Sequence, residues 1–204
     1  MTTLTVYSDA SDGRIESSST VYATARTGAN FVISDSVSAN SIGQTFETPT
    51  YYVREMFLNF DTSSIPDTDT IDSVVLSMYG FQDLSDTDFT MEAYLKDWGA
   101  SLDTGDWVAG ADLGAQTLLA TLAVTVVPTN AYTAFTSESG FVNYVNKTGL
   151  TRLMLSSSRT RAGTTPTGFE AVSWNMSESA NKPKLVVNHS TPVSTMSVGL
   201  TIGT

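Results

Sequence analysis

Cysteine is absent from this 204-residue chain, and histidine occurs once. The first absence excludes disulfides, thiolate metal sites and cysteine nucleophiles. The second excludes histidine metal clusters and leaves His189 as the one imidazole for a Ser-His-acid triad. No G-x-S-x-G elbow accompanies it, and its place beside the C-terminal segment predicts a surface residue. Charge is scarce too: Asp, Glu, Lys and Arg make up 15% of the chain, and 21 acidic against 10 basic side chains give a formal net charge of −11. A polyanion gains nothing from such a surface, so neither nucleic acid nor membrane is an expected partner. Arg152, Arg159 and Arg161 form the one sizeable basic cluster and read as solvated residues at a strand end. There is no apolar run long enough to cross a bilayer and no Walker loop or dinucleotide fingerprint. Met1 to Asp9 has neither the basic nor the apolar region of a secretory leader, from which we expect a cytoplasmic product released by lysis or by a dedicated machine.

What the chain does contain is short runs rich in Val, Thr, Tyr and Phe, separated by Gly, Pro, Asp, Asn and Ser. That spacing predicts an all-β sandwich or barrel. The clearest strand is Tyr51 to Phe60, with Met56, Leu58 and Phe60 alternating against Phe57 and Asn59. Ile71 to Tyr79, Phe89 to Leu95 and Leu118 to Val126 repeat the period of two, each with one apolar face for a sheet buried on one side. Shorter strands are predicted at Leu150 to Leu155, Phe169 to Trp174 and Leu185 to Val187, and at Leu4 to Tyr7, Val21 to Ala25 and Phe31 to Ile33. One short helix is predicted at Ser139 to Val145, capped by Ser137 and stopped by Gly149. The predicted core comprises Met56, Leu58, Phe60, Val74, Leu76, Met78, Leu122, Val124, Leu153, Leu155, Leu185 and Val187. These elements make one sandwich domain over residues 1–189, followed by a tail or arm over residues 190–204.

Candidate chemistry is thin. Glu55, Glu92, Glu170 and Glu178 lie in or beside predicted strands, where a paired-acid glycosidase would place its carboxylates, but nothing in the spacing brings two of them to one bond. No catalytic residue is therefore expected. Asp83, Asp86 and Asp88 offer oxygen ligands for calcium without the EF-hand spacing or its glycine; a plain acidic loop without cofactor is the other reading. Trp98 and Trp107 are the candidate glycan-stacking residues, with Trp174, Tyr51 and Tyr52 behind them, although large aromatics also dominate cores. Asn146, Asn175 and Asn188 stand in N-glycosylation sequons, which chance explains in a chain this rich in Ser and Thr. From Ser190 to Thr204 the chain carries no charged side chain. It reads either as a loose tail or as an assembly arm adding a strand to a neighbour, with Val193, Met196, Val198, Leu200 and Ile202 as its apolar contacts.

Several blocks in order resemble one known family. "REMFLNFDTSSIPDTDTIDSVVLSMYG" from Arg54 to Gly80 is similar to the strand-loop-strand signature of DNRLRE-type domains, which are related to disaggregatase repeats and carbohydrate-binding modules. "MEAYLKDWG" with Trp107, "FVNYVNKTGLTRLMLSSS" and "SESANKPKLVV" match that pattern's tryptophan-bearing loop, short helix with following strand, and closing strand. The resemblance implies a jelly-roll-like, two-sheet antiparallel β-sandwich with one short helix, and no catalytic site; Glu178 and Pro183 fall at structural positions. A stand-alone Ser/Thr-rich sandwich of this kind looks like a tailed-phage structural protein, a head decoration or tail-associated protein. The expectation is a non-enzymatic protein on the virion surface, bound to other virion proteins and self-associating. The alternative is an extracellular carbohydrate-binding module with a glycan as partner.

Overall fold

A computed structural model describes residues 1–192. Within them the chain is all-β. Its first six strands are β1 (Thr2–Tyr7), β2 (Gly13–Ser19), β3 (Val32–Ser34), β4 (Ala39–Glu47), β5 (Thr50–Asp61) and β6 (Thr70–Asp83). Then come β7 (Thr90–Leu95), β8 (Leu118–Ala123), β9 (Tyr132–Ala134), β10 (Thr136–Ser137), β11 (Leu150–Ser157), β12 (Phe169–Asn175) and β13 (Lys184–Ser190). Two short helices interrupt them, α1 (Tyr22–Thr27) and α2 (Ser158–Ala162).

All pairings are antiparallel, and the principal path runs β1-β13-β6-β12-β4-β5-β11-β7-β8-β10. The result is sandwich-like, yet the hydrogen bonding is one continuous, curled sheet rather than two separate ones. Long strands make the joins. β6 pairs with β13 over Thr70–Ser77 and with β12 from Gly80 onward. β5 pairs with β4 and β2 over its first half and with β11 over its second. β4 passes β12 so closely at Gly43 that a Cβ there would lie 2.1 Å from the Glu170 carbonyl oxygen, and its φ of 119° suits glycine alone.

The main core lies inside the curl. Met56, Leu58, Phe60, Val74, Leu76, Met78, Val124, Leu153, Leu155, Leu185 and Val187 are all buried there, with Phe141 and Trp174. Leu122 is only partly buried, packed against this core from its edge. The expected one-sided burial fails at β5, where Phe57 and Asn59 are as hidden as their neighbours. A second apolar layer explains this: the long connection after β7 folds back over the outer face. Trp98, Leu102, Val108 and Leu113 there pack on Ile15, Phe57, Tyr94 and Met154.

Local readings differ in four places. Val21 to Ala25, predicted as a strand, forms α1: Tyr22 and Ala25 are buried three residues apart, alanine favours helix, and the turn ends at Gly28 with φ 120°. The predicted helix at Ser139 to Val145 is only a 3-10 turn, Phe141–Tyr144, preceded by Gly140. Ser137, expected as its cap, instead sits in β10, donating to the Val74 carbonyl at 2.5 Å. The strand from Leu118 stops at Ala123 and tightens into a 3-10 turn at Val124–Val126. β2 and β4 had no forecast, because they bury Ser17, Gln44 and Thr45 through hydrogen bonds rather than through an apolar stripe.

Candidate functional site

The densest polar cluster surrounds α2. Ser157 caps that helix, its hydroxyl accepting from the Arg159 N–H, and Gly163 ends it in the left-handed region at φ 72°. Arg159 and Arg161, two residues apart, thereby reach two different strands. Arg159 Nε donates to Glu170 Oε2 on β12 at 2.6 Å, and Gln44 Nε2 on β4 donates to the same oxygen at 2.6 Å. The Tyr22 hydroxyl donates to Gln44 Oε1 at 2.6 Å, and burial pushes that phenol up to about 12. Arg161 grips Glu92 on β7, with Nη2 at 2.6 Å from Oε1 and Nε at 2.9 Å from Oε2. The Tyr94 hydroxyl donates to Glu92 Oε2 at 2.6 Å; burial first, then that bond, raises its pKa. Arg26 of α1 closes the ring, donating to the carbonyls of Thr160 and Arg161.

This arrangement corrects one expectation: Arg159 and Arg161 are not free solvated charges but the cationic halves of ion pairs with buried carboxylates. Arg152 likewise pairs with Asp97 at 2.6 Å and lies 5.5 Å from the Trp98 ring centroid. A cavity of about 240 Å³ adjoins the Glu92–Arg161 pair, walled by Tyr94, Leu113, Gln116 and Leu118. Both Glu92 oxygens already accept from Arg161. Its chemistry is that of a brace between strands.

The other candidate acids stand apart. Glu55 is fully buried beneath the post-β7 connection; Oε2 accepts the Val108 N–H at 3.1 Å and Oε1 has no partner. Burial raises its pKa well above the ordinary carboxylate range, against the Val108 N–H bond and then the charge of Lys96, both of which lower it. Glu178 is exposed beside Asp12. Asp12, which the sequence did not single out, is buried in the β1–β2 connection, where it accepts from the Ser177 N–H at 3.2 Å and the Ser177 hydroxyl at 2.9 Å. Burial lifts it to about 7, with the charge of Glu178 adding to the rise.

His189 is not the surface residue that was expected. It points inward from β13, and its Nδ1 lies 2.7 Å from Asp69 Oδ2; that hydrogen bond holds the Asp69 carboxyl below its usual range. Asp83, Asp86 and Asp88 do not converge. Asp83 Oδ1 accepts from Ser85, Asp86 Oδ2 accepts the Phe169 N–H, and Asp88 is exposed. Among the described residues no group of three or more His, Asp or Glu side chains is placed to hold a metal ion, and no helix is long and apolar enough to cross a membrane.

The aromatic candidates also divide. Trp98 is 3% exposed, its ring edge-on to Phe57 and covered by Arg152, so it offers no stacking face. Trp107 is half-buried, with Nε1 donating to the Thr27 carbonyl and its ring tilted against Phe31. Tyr51 stacks on Phe46, and Tyr52 lies under Arg54. A different cluster faces outward. Tyr7 on β1 is 53% exposed and sits opposite Lys184 on β13. Lys184 Nζ lies 4.0 Å from the ring centroid of Tyr132, which meets Tyr79 edge-on at 5.1 Å. Residues 7 and 184 meet only through the β1–β13 register, a long-range pairing invisible to local pattern. The assembly-arm residues Val193, Met196, Val198, Leu200 and Ile202 lie outside the described residues.

No family model matches the chain, and no curated protein matches it.

Proposed function

We propose that the protein is a non-enzymatic structural protein on the exterior of a phage virion, acting through contacts with other proteins. The observation that carries the binding reading is the outer face of β1, β13, β6 and β9. There Thr5, Val186 and Val75 form one cross-strand row, and Tyr7, Lys184 and Ala134 the next, with Ser77 buried between the last two. An open sheet face of hydroxyl, aliphatic and aromatic side chains with a single cation suits a protein partner, whose contacts favour tyrosine and disfavour dense charge. The acidic, Ser/Thr-rich composition and the resemblance to phage sandwich proteins support the virion setting. The locked state of Glu92 and Glu170 supports a role without turnover.

One specific feature favours a second reading, a carbohydrate-binding module. Tyr7, Tyr79 and Tyr132 around Lys184 can present ring faces to a sugar, where Trp98 cannot. Immunogold electron microscopy of intact particles, alongside a glycan array, separates the two. Label on particles and no glycan signal is the expected result. Absence from purified particles, together with glycan binding lost in Tyr132→Ala, would overturn the virion proposal in favour of the module.

A further inference from the structure

A groove of about 350 Å³ runs along one edge of β6, lined by Asp72, Ser73 and Val74 on the strand and by Ser137, Ser139, Phe141 and Val142 opposite. β9 pairs with β6 only at Ser77–Tyr79. Among the described residues no strand is backbone-paired to that edge from Thr70 to Leu76, although β10 lies close to it; the Phe135 N–H to the Leu76 carbonyl and the Ser137 hydroxyl to the Val74 carbonyl are the hydrogen bonds that reach it. Phe141 is fully buried at the groove's base and Val142 is partly exposed. An unpaired edge beside an apolar floor is the geometry that accepts an added strand.

We infer that this groove receives the segment after Pro192 of a second copy of the chain, as an added β-strand. The inference rests on the proposed assembly role and names its contact. Three facts select this occupant. Met196, Val198, Leu200 and Ile202 recur at every second position, so a strand built from them turns one apolar face to the floor. The groove rim carries Asp72 and Glu138, and the segment from Ser190 to Thr204 has no charged side chain to meet them. Finally, β13 ends at Ser190 opposite Thr70, on the other edge of β6, where the Ser190 hydroxyl donates to Asp72 Oδ1 at 3.0 Å. Thr191 precedes a proline, which biases it to extended backbone.

The test uses the full-length protein in sedimentation over a concentration series at low and moderate salt. Wild type is expected to self-associate, and more strongly as salt screens the repulsion between two chains of charge −11. Leu200→Glu in the arm and Val142→Glu in the groove are each expected to weaken association by roughly tenfold or more, with circular dichroism unchanged. Should Val142→Glu disturb folding, Ser139→Trp on the exposed rim blocks the groove instead. An equimolar mixture of arm and groove variants is expected to recover association, because one partner keeps a sound groove and the other a sound arm. Wild type that stays monomeric at both salts, variants that associate normally, or a mixture that fails to recover overturns the inference. Particle occupancy is read separately: arm–groove exchange by a protein absent from particles removes the virion proposal alone, and particle binding by a wild type that stays monomeric in sedimentation removes the exchange alone.

Discussion

Arg161 holds Glu92 through two of its nitrogens, at 2.6 and 2.9 Å, across the gap between α2 and β7. The carboxylate is nearly buried, with 6% of its side chain exposed, whereas the guanidinium side chain is 44% exposed. That asymmetry decides what each partner's loss does.

Removing Arg161 strands a buried carboxylate with only the Tyr94 hydroxyl beside it. A fully buried pair broken this way loses about 3–5 kcal/mol. Because half of the guanidinium sees solvent, we expect about 2 kcal/mol from Arg161→Ala. Glu92→Gln should cost less, since the amide still accepts from Arg161. Urea denaturation with an unchanged slope checks both; an Arg161→Ala midpoint equal to wild type would show the pair to be structurally idle.

Gly43→Ala should be among the most damaging small substitutions in the chain. Its Cβ would sit 2.1 Å from the Glu170 carbonyl oxygen, at a φ of 119°. The clash is with backbone, so no side-chain rotation relieves it; β4 and β12 must separate where Glu170 is held by Arg159 and Gln44. We expect a loss of about 3 kcal/mol or more, with exchange of the β12 amides accelerated before those of β13. Near-wild-type stability would mean that the two strands do not cross this closely.

Much of the fold was legible from period-two alternation, because β5, β6, β7, β11 and β13 put branched or aromatic residues on a common inner face. What alternation cannot show is a second layer. Phe57 and Glu55 occupy positions that a one-sided sheet leaves wet, and only the return of the connection bearing Trp98 and Val108 buries them. β2 and β4 were invisible for the converse reason: their buried Ser17, Gln44 and Thr45 look like loop residues until their partners are known. The candidate site suffered most. Arg159, Arg161, Glu170 and Glu92 were all identifiable as charges, but their pairing depends on β7 and β12 converging on α2 in space. The pairing of Tyr7 with Lys184 had no local signal, although Tyr7 ends a predicted strand.

Two buried acids predict an unusual dependence of stability on pH. Asp12 has an ordinary value of 3.8, raised by burial to about 7 in the fold. Below 3.8 it is neutral in both states, and its contribution to stability is fully present. Between 3.8 and about 7 the unfolded chain releases a proton that the folded chain keeps, so stability falls as pH rises; above about 7 the effect levels off. Asp9, Asp61 and Asp97 are held below their ordinary values: at Asp9 the opposing effect of burial is outweighed by hydrogen bonds, at Asp61 the Ser63 hydrogen bonds do it, and at Asp97 the Gly99 N–H and Arg152 do; all three act with the opposite sign, losing stability as the solution turns acid. A difference measurement isolates each acid. Asp12→Asn, which still accepts from the Ser177 N–H, should gain on wild type from about pH 4 to about pH 7 and then run parallel to it. Glu55 differs in extent: complete burial raises its pKa well above the ordinary value, and the Val108 N–H bond and Lys96 offset only part of that. Glu55→Gln keeps an oxygen for the Val108 N–H and stays neutral at every pH, so its advantage over wild type should start to grow near 4.5, the ordinary value, and grow as pH rises through the folded-state value. The added amide nitrogen, placed where Oε1 now has no partner, shifts the whole difference curve by a constant but does not change its slope. Thermal or urea midpoints of wild type and both variants, read at several pH values, check the pair. A flat Glu55→Gln difference across that range would mean that water reaches Glu55 and that the connection carrying Val108 does not seal it.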